Sequence, residues 1–158
     1  MQQNGPQIAP AYAGFWIRLV ATLLDTLVLL IVLGIPLGLI YGNEYWLDGP
    51  FIRGFWDVIF SYVIPFVGTL WFWRRFLGTP GKLLTGIKIV DAVSGDRMSR
   101  GQAVGRYFAY IVSILPLFLG FLWVGIDKRK QAWHDKLAGT IVVHNNKNHP
   151  AHIAPGAE

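Results

Sequence analysis

The sequence predicts an all-α membrane protein with two transmembrane helices, a third helical segment that is kinked or re-entrant, and a small cytoplasmic β element. Three observations carry this reading. Of the 158 residues, 53% are hydrophobic and only 15% charged, against roughly 25% charged in an ordinary soluble domain. The apolar residues gather into three long blocks instead of spreading along the chain with helical or strand periodicity, so the excess calls for a non-aqueous solvent. The Lys and Arg excess, 14 basic against 9 acidic residues, is concentrated beside the apolar blocks, as on the cytoplasmic face of a membrane protein. A chain of this length forms one unit at most. Cysteine is absent, which excludes disulfides, thiol catalysis and thiolate metal sites.

The first span is expected at about 15–40. Its stretch from Thr26 to Ile40 is free of charge, and at roughly 1.5 Å per residue it crosses a hydrocarbon core of about 30 Å. Met1 to Ile17 carries no basic side chain and the apolar run is long for a signal peptide, so the segment is expected to stay in the mature protein. The second span, about 54–73, is bracketed by Phe55 and Trp56 at one end and Trp71, Phe72 and Trp73 at the other, as aromatic belts at two interfaces would be. The loop between these spans holds Glu44, Asp48 and Arg53, whereas Arg74 to Gln102 holds six basic residues against Asp91 and Asp96. The N-terminus and the segment after the second span are therefore placed in the cytoplasm.

The third block, about 103–126, has twenty uncharged residues from Tyr107 to Ile126. A single crossing would put Lys128, Arg129, Lys130 and Lys136 outside, against the charge bias. Pro116 and Gly120 interrupt its middle, and both weaken a helix. Two arrangements stay open: a kinked third span, or a re-entrant pair of short helices, Gln102 to Leu115 and Leu117 to Ile126, with both ends cytoplasmic. The second requires cover from the first two helices or a second subunit, because irregular backbone is tolerated at depth only beside protein or a wet cavity. Ahead of this block, Gly86 to Asp91 alternates apolar and polar residues before a turn at Ser94-Gly95-Asp96, as in a short hairpin. Thr140 to Val143 is a second β-prone run that can pair with it. Residues 1–13 and 144–158 read as disordered tails flanking a membrane domain at 14–143.

Arg18 and Asp25 lie seven residues apart in the first span, on nearly the same helix face and roughly 10 Å apart along the axis. Arg18 can snorkel to the interface, but Asp25 lies deeper, where a carboxylate must be protonated or matched by a cation. Arg106 is its candidate partner. Two readings follow: a proton or cation site, or a buried ion pair that fixes helix packing. Asp57, near the outer end of the second span, reads as a solvated or capping residue. Gly78-Thr79-Pro80-Gly81-Lys82 lacks the spacing of a phosphate loop and reads as a turn with an interfacial lysine. His134 and Asp135 are neighbours that point in different directions on a helix, with no Ser, Cys or metal-ligand set at workable spacing, so a local cap or strand-to-helix junction is expected there. His144, His149 and His152 belong to the tail. No metal site, cofactor or enzymatic activity is expected, and without a basic patch interleaved with aromatics no nucleic acid partner is either.

The runs Gly14-Phe15-Trp16-Ile17-Arg18-Leu19-Val20-Ala21-Thr22-Leu23-Leu24-Asp25, Gly78-Thr79-Pro80-Gly81-Lys82 with Gly86-Ile87-Lys88-Ile89-Val90-Asp91, and His134-Asp135-Lys136-Leu137-Ala138-Gly139-Thr140 together resemble the RDD family of bacterial membrane proteins. That family is named for one arginine and two aspartates. Arg18 and Asp25 fit the first two; Asp135 fits the third, with Asp91 as competitor. The resemblance implies a multi-pass protein of the bacterial inner membrane. Some members have been linked to monovalent cation and proton exchange, which implies Asp25 as the exchanging carboxylate tuned by Arg18 or Arg106. Three apolar blocks make a thin wall around any pathway, so exchange would require a homo-oligomer. The competing expectation is a non-transporting scaffold or accessory subunit whose charges lock the bundle. Membrane lipids are partners in either case.

Overall fold

A computed structural model describes residues 11–42, 44–47 and 52–145. The first apolar block forms one long helix, Phe15–Tyr41, and the second a helix over Phe55–Leu84 that breaks briefly before its last turns; both are long and apolar enough to cross a membrane. Each is built in the same way. In the first, α1 (Phe15–Leu29) leads into a π-turn at Leu30–Gly34 and then α2 (Ile35–Tyr41). After the short α3 (Glu44–Leu47), the second runs from α4 (Phe55–Val58) through a π-turn at Ile59–Val63 into α5 (Ile64–Phe76). Each π-turn stands immediately before an Ile-Pro pair, Ile35-Pro36 and Ile64-Pro65. Proline donates no hydrogen bond, and its ring collides with the carbonyl four residues back in an α-helix. The wider i→i+5 turn takes up the mismatch without breaking the span.

Beyond α5 the chain turns through Leu77, which adopts a left-handed conformation, into the short α6 (Pro80–Leu84) and β1 (Ile87–Asp91). The amphipathic α7 (Arg100–Ile114) follows, started by a capping box in which Ser99 Oγ accepts from Gln102 N–H and the Gln102 amide oxygen accepts from Ser99 N–H. These reciprocal bonds satisfy two orphan helix donors. Next come α8 (Leu119–Leu122), a 3₁₀ turn at Trp123–Gly125, α9 (Trp133–Leu137) and β2 (Thr140–His144).

Strands β1 and β2 pair antiparallel with Ile89 opposite Val142. This is the expected pairing of the Gly86–Asp91 run with the Thr140–Val143 run, whereas the hairpin expected around Ser94–Asp96 is corrected. That turn exists, with Gly95 N–H donating to the Asp91 carbonyl, but the strand partner of β1 lies about fifty residues downstream. The reason is apolar content: Ile141, Val142 and Val143 are buried, whereas the segment after Asp96 has only Met98 to bury.

This pairing brings the two flanks of the third block together. The chain leaves the sheet from β1 and returns to it at β2, so both flanks lie at one end of the molecule, and α7 is bent by 110° from Leu119–Gly125. A kinked full crossing would separate the two strands. Gly120 permits the fold-back, since a Cβ there would sit 2.6 Å from Ser113 Cα. Leu117 and Phe118 turn the corner with positive φ, which costs bulky residues roughly 1–2 kcal/mol each.

Residues 11–13, expected to belong to a tail over 1–13, are instead held against the sheet. Ala13 N–H donates to the Val142 carbonyl at 2.9 Å and His144 N–H to the Ala11 carbonyl at 2.9 Å, so residues 11–13 run along the free edge of β2. Ala13 is fully buried among Ala21, Trp73, Ile87, Ile89, Met98, Ala103 and Val142. The apolar edge of β2 explains this, because unpaired backbone groups on a buried edge are costly. His144 likewise ends β2 rather than beginning a tail; residues 1–10 and 146–158, with His149 and His152, lie outside the described residues.

Candidate functional site: an arginine–aspartate clasp

The sequence-predicted charges divide into two sites where the short helices α6 and α9 meet the start of α1. At the first, Asp135 is fully buried, and its carboxylate is shared by two guanidinium groups. Arg18 Nη1 donates to Oδ2 and Arg106 Nη2 to Oδ1. A third donor, Ala132 N–H, reaches Oδ2 at 3.1 Å, so Asp135 also caps the turn that begins α9. Arg18 makes two further bonds, from Nε to the Ala13 carbonyl at 2.9 Å and from Nη2 to the Lys130 carbonyl. The Arg106 guanidinium lies 5.2 Å from the Trp73 ring centroid, a cation–π contact. One carboxylate therefore ties α1, α7 and α9 together and, through Trp73, holds the end of α5.

His134 occupies the inner side of this clasp. Its ring centroid is 4.1 Å from that of Tyr110 and 5.0 Å from that of Phe121. Ser113 Oγ accepts from His134 N–H at 3.1 Å and also lies 3.1 Å from Nδ1. The sequence showed no serine near His134; α7 brings one in from 21 residues away. His134 Nε2 lies 3.4 Å from Asp135 Oδ1, so Ser113, His134 and Asp135 form a series in which all three residues are buried.

Electrostatics keep the clasp charged and the imidazole neutral. Burial pushes the Asp135 carboxyl up, but Arg106 and then Arg18 outweigh it and hold the group below the ordinary carboxylate range. For His134, burial dominates and brings the pKa down to about 3, against the opposing pull of Asp135 and with help from Arg106 and Arg18. The unfolded chain takes up a proton at His134 near pH 6.5, while the folded chain does not until about pH 3. Between these limits the unfolded state binds more protons, so stability falls with falling pH by up to about 1.4 kcal/mol per unit. Below the 3.8 of a free aspartate, Asp135 adds a second loss in the same direction. Denaturant titrations of the detergent-solubilised protein across this range should show the decline, and His134→Gln should flatten its upper part.

The second site belongs to Asp25. Its expected partner, Arg106, is engaged with Asp135 instead. Asp25 Oδ1 accepts from Gly81 N–H at 2.7 Å, Oδ2 accepts from the Thr79 hydroxyl, and Lys82 Nζ stands 3.8 Å from Oδ2. The carboxylate thus caps α6 from another helix, satisfying one of the first-turn donors that a helix leaves open, Gly81 N–H. The Gly78–Lys82 run, read from sequence as a turn, is this capped helix start. Gly81 is required by contact: a Cβ there would lie 2.1 Å from the Ala21 carbonyl oxygen and 2.9 Å from Asp25 Cγ.

Two other acids are structural. Asp91 holds its turn by accepting from Val93 and Ser94 N–H, at 2.9 and 2.8 Å, and also accepts from Gln102 Nε2. Asp57, at the opposite end of the spans, is buried and accepts from Arg53 N–H at 2.9 Å, Tyr45 Oη at 2.7 Å and Ser61 Oγ at 2.7 Å. Tyr45, in the loop between the spans, is thereby pinned to the second span, a role the sequence did not disclose.

The sequence profile of the RDD family matches residues 12–139. The chain belongs to the RDD family. Among its relatives, the uncharacterized membrane protein YteJ of Bacillus subtilis is 31% identical, over 89% of this chain and 88% of YteJ. The uncharacterized protein YckC of the same organism is 34% identical, over 84% of each chain. A third, the uncharacterized protein YxaI, is 29% identical, over 84% of this chain and 97% of its own length. No solved structure matches. In this RDD protein the matched span begins at Tyr12, where the N-terminal edge strand starts to pair, and includes the whole clasp.

Proposed function

We propose that this RDD protein is a non-transporting membrane scaffold or accessory subunit, in which Arg18, Asp25, Arg106 and Asp135 lock short helices onto the membrane spans. The observation that carries this reading is the occupancy of Asp25. Both carboxylate oxygens accept hydrogen bonds from groups fixed by the fold, so a mobile cation would have to displace the cap of α6. An orientation with the N-terminus in the cytoplasm of a bacterial cell, in the inner membrane, accompanies the proposal. Its support is that Arg74 and Arg75 end α5, and Lys128 to Lys130 return to the sheet-bearing end with α1's start, matching the bias of cytoplasmic flanks toward positive charge.

A second reading, monovalent cation and proton antiport by an oligomer, is favoured by one feature. Lys82 Nζ, at 3.8 Å from Asp25, is beyond hydrogen-bond reach and is the kind of counter-charge that a transported cation could replace. Liposome assays separate the two readings. Pulses of sodium, lithium or potassium should leave an imposed pH gradient intact, and Asp25→Asn should lower thermal stability by about 1 kcal/mol through the weakened cap. Gradient dissipation that Asp25→Asn abolishes in a still-folded protein would establish the exchanger.

A further inference from the structure

The outer face of the α7–α8 turn is left uncovered by the scaffold just described. The inner face of α7 consists of Ala103, Arg106, Ala109 and Ser113, all buried, and carries the clasp. The opposite face is apolar at helical spacing, with Phe108, Ile111 and Leu115 exposed. It continues without a charged residue around the corner, where Leu117 is 85% and Ile126 76% exposed. Charges appear only at its margins, where three exposed bases, Arg97 and Arg100 before α7 and Lys128 after the 3₁₀ turn, outnumber one exposed acid, Asp96. The neighbouring Asp127 is already paired with Lys136.

We propose that this surface is seated in one leaflet of the bilayer, the leaflet on the sheet side, with acyl chains against Phe108, Ile111, Leu115, Leu117 and Ile126 and anionic headgroups at Arg97, Arg100 and Lys128. The occupant is lipid and not protein for two reasons. An apolar face bounded by cations complements a leaflet that carries acyl chains beneath negative headgroups. The face also begins and ends at the same sheet as the two spans, which fixes it beside the surface from which those spans enter the membrane. Its position is that of an interfacial amphipathic element tethered at both ends, so the protein occupies more area in one leaflet than in the other. This inference holds whether the bundle is a scaffold or an exchanger.

The absence of cysteine makes the test direct. Leu117→Cys and Ile126→Cys, each carrying a nitroxide, are reconstituted in vesicles of phosphatidylethanolamine and phosphatidylglycerol. Their exposure means that neither substitution removes a packed side chain, and Leu23→Cys, exposed on α1, serves as the lipid-facing reference. Collision rates with oxygen should approach that of the Leu23 label and exceed those with a water-soluble nickel chelate by at least about fivefold, at depths no greater than the bilayer midplane. Replacing phosphatidylglycerol by neutral lipid should raise nickel access at Ile126 at least about twofold. Labels shielded from both reagents would show a protein partner on this face, and labels open to nickel would place it in water; either result overturns the proposal. Unchanged nickel access in neutral lipid would overturn the assignment of anionic headgroups.

Discussion

Replacement of Asp135 by alanine is expected to leave the buried Arg106 and the half-buried Arg18 without a counter-charge and to destabilise the protein by roughly 3–5 kcal/mol, the range for removing one partner of a buried ion pair. Against a typical domain stability of about 5–15 kcal/mol, this approaches loss of the fold. Asp135→Asn should cost nearly as much, since it keeps the shape and one acceptor but not the charge that both guanidinium groups share. Denaturant unfolding in detergent measures these losses. The informative companion is the cycle of Asp135→Ala with Arg18→Met: the double variant should be more stable than the sum of the single losses predicts, because removing Arg18 relieves one of the two stranded cations. Strict additivity would mean that Arg18 and Asp135 do not interact, contrary to their hydrogen bond.

Gly81→Ala should be the most damaging single-methyl change. A Cβ 2.1 Å from the Ala21 carbonyl and 2.9 Å from Asp25 Cγ meets backbone on one side and the capping carboxylate on the other, so no side-chain rotation relieves it. The helices α1 and α6 must separate, which breaks the bonds to Asp25 as well. Overpacking usually costs about 1–3 kcal/mol, occasionally more, and the loss of the cap adds about 1 kcal/mol. Gly105→Ala supplies the control. Gly105 lies inside α7 with nothing within 4 Å of the added methyl, so helix propensity should win and stability should rise by about 0.5–1 kcal/mol. Thermal melts of the two variants beside the parent protein test the contrast. If Gly81→Ala melted with the parent, α6 would not be packed on α1.

Much of the architecture was legible because membrane burial writes itself into composition. The spans at about 15–40 and 54–73 correspond to Phe15–Tyr41 and the first two thirds of Phe55–Leu84, since nothing else accounts for so long an uncharged run. The break at Pro116 was legible for a similar reason, local covalent chemistry: proline cannot donate. The prolines at 36 and 65 obey the same rule, yet each is absorbed by a π-turn and its helix continues. The sequence does not distinguish a proline that breaks a helix from one that a wider turn accommodates, because the difference lies in what packs on either side.

The partners of the charges were harder to read. That Asp25 needs neutralising follows from desolvation alone and was plain in the first span. That Gly81 N–H, Thr79 and Lys82 supply it, while Arg106 goes to Asp135, depends on α6 lying against α1 across 56 residues of chain.

The amino-acid order by itself determined the membrane class, the two spans, the interruption of the third block and the residues whose charge demands a partner, because these follow from transfer free energy and short-range backbone chemistry. Tertiary structure decided between the two partners the sequence offered for β1 and between the two arrangements of the third block, and it alone decided which arginine meets which aspartate. Those are contacts between residues far apart in sequence, and their energies depend on distances that no local pattern encodes.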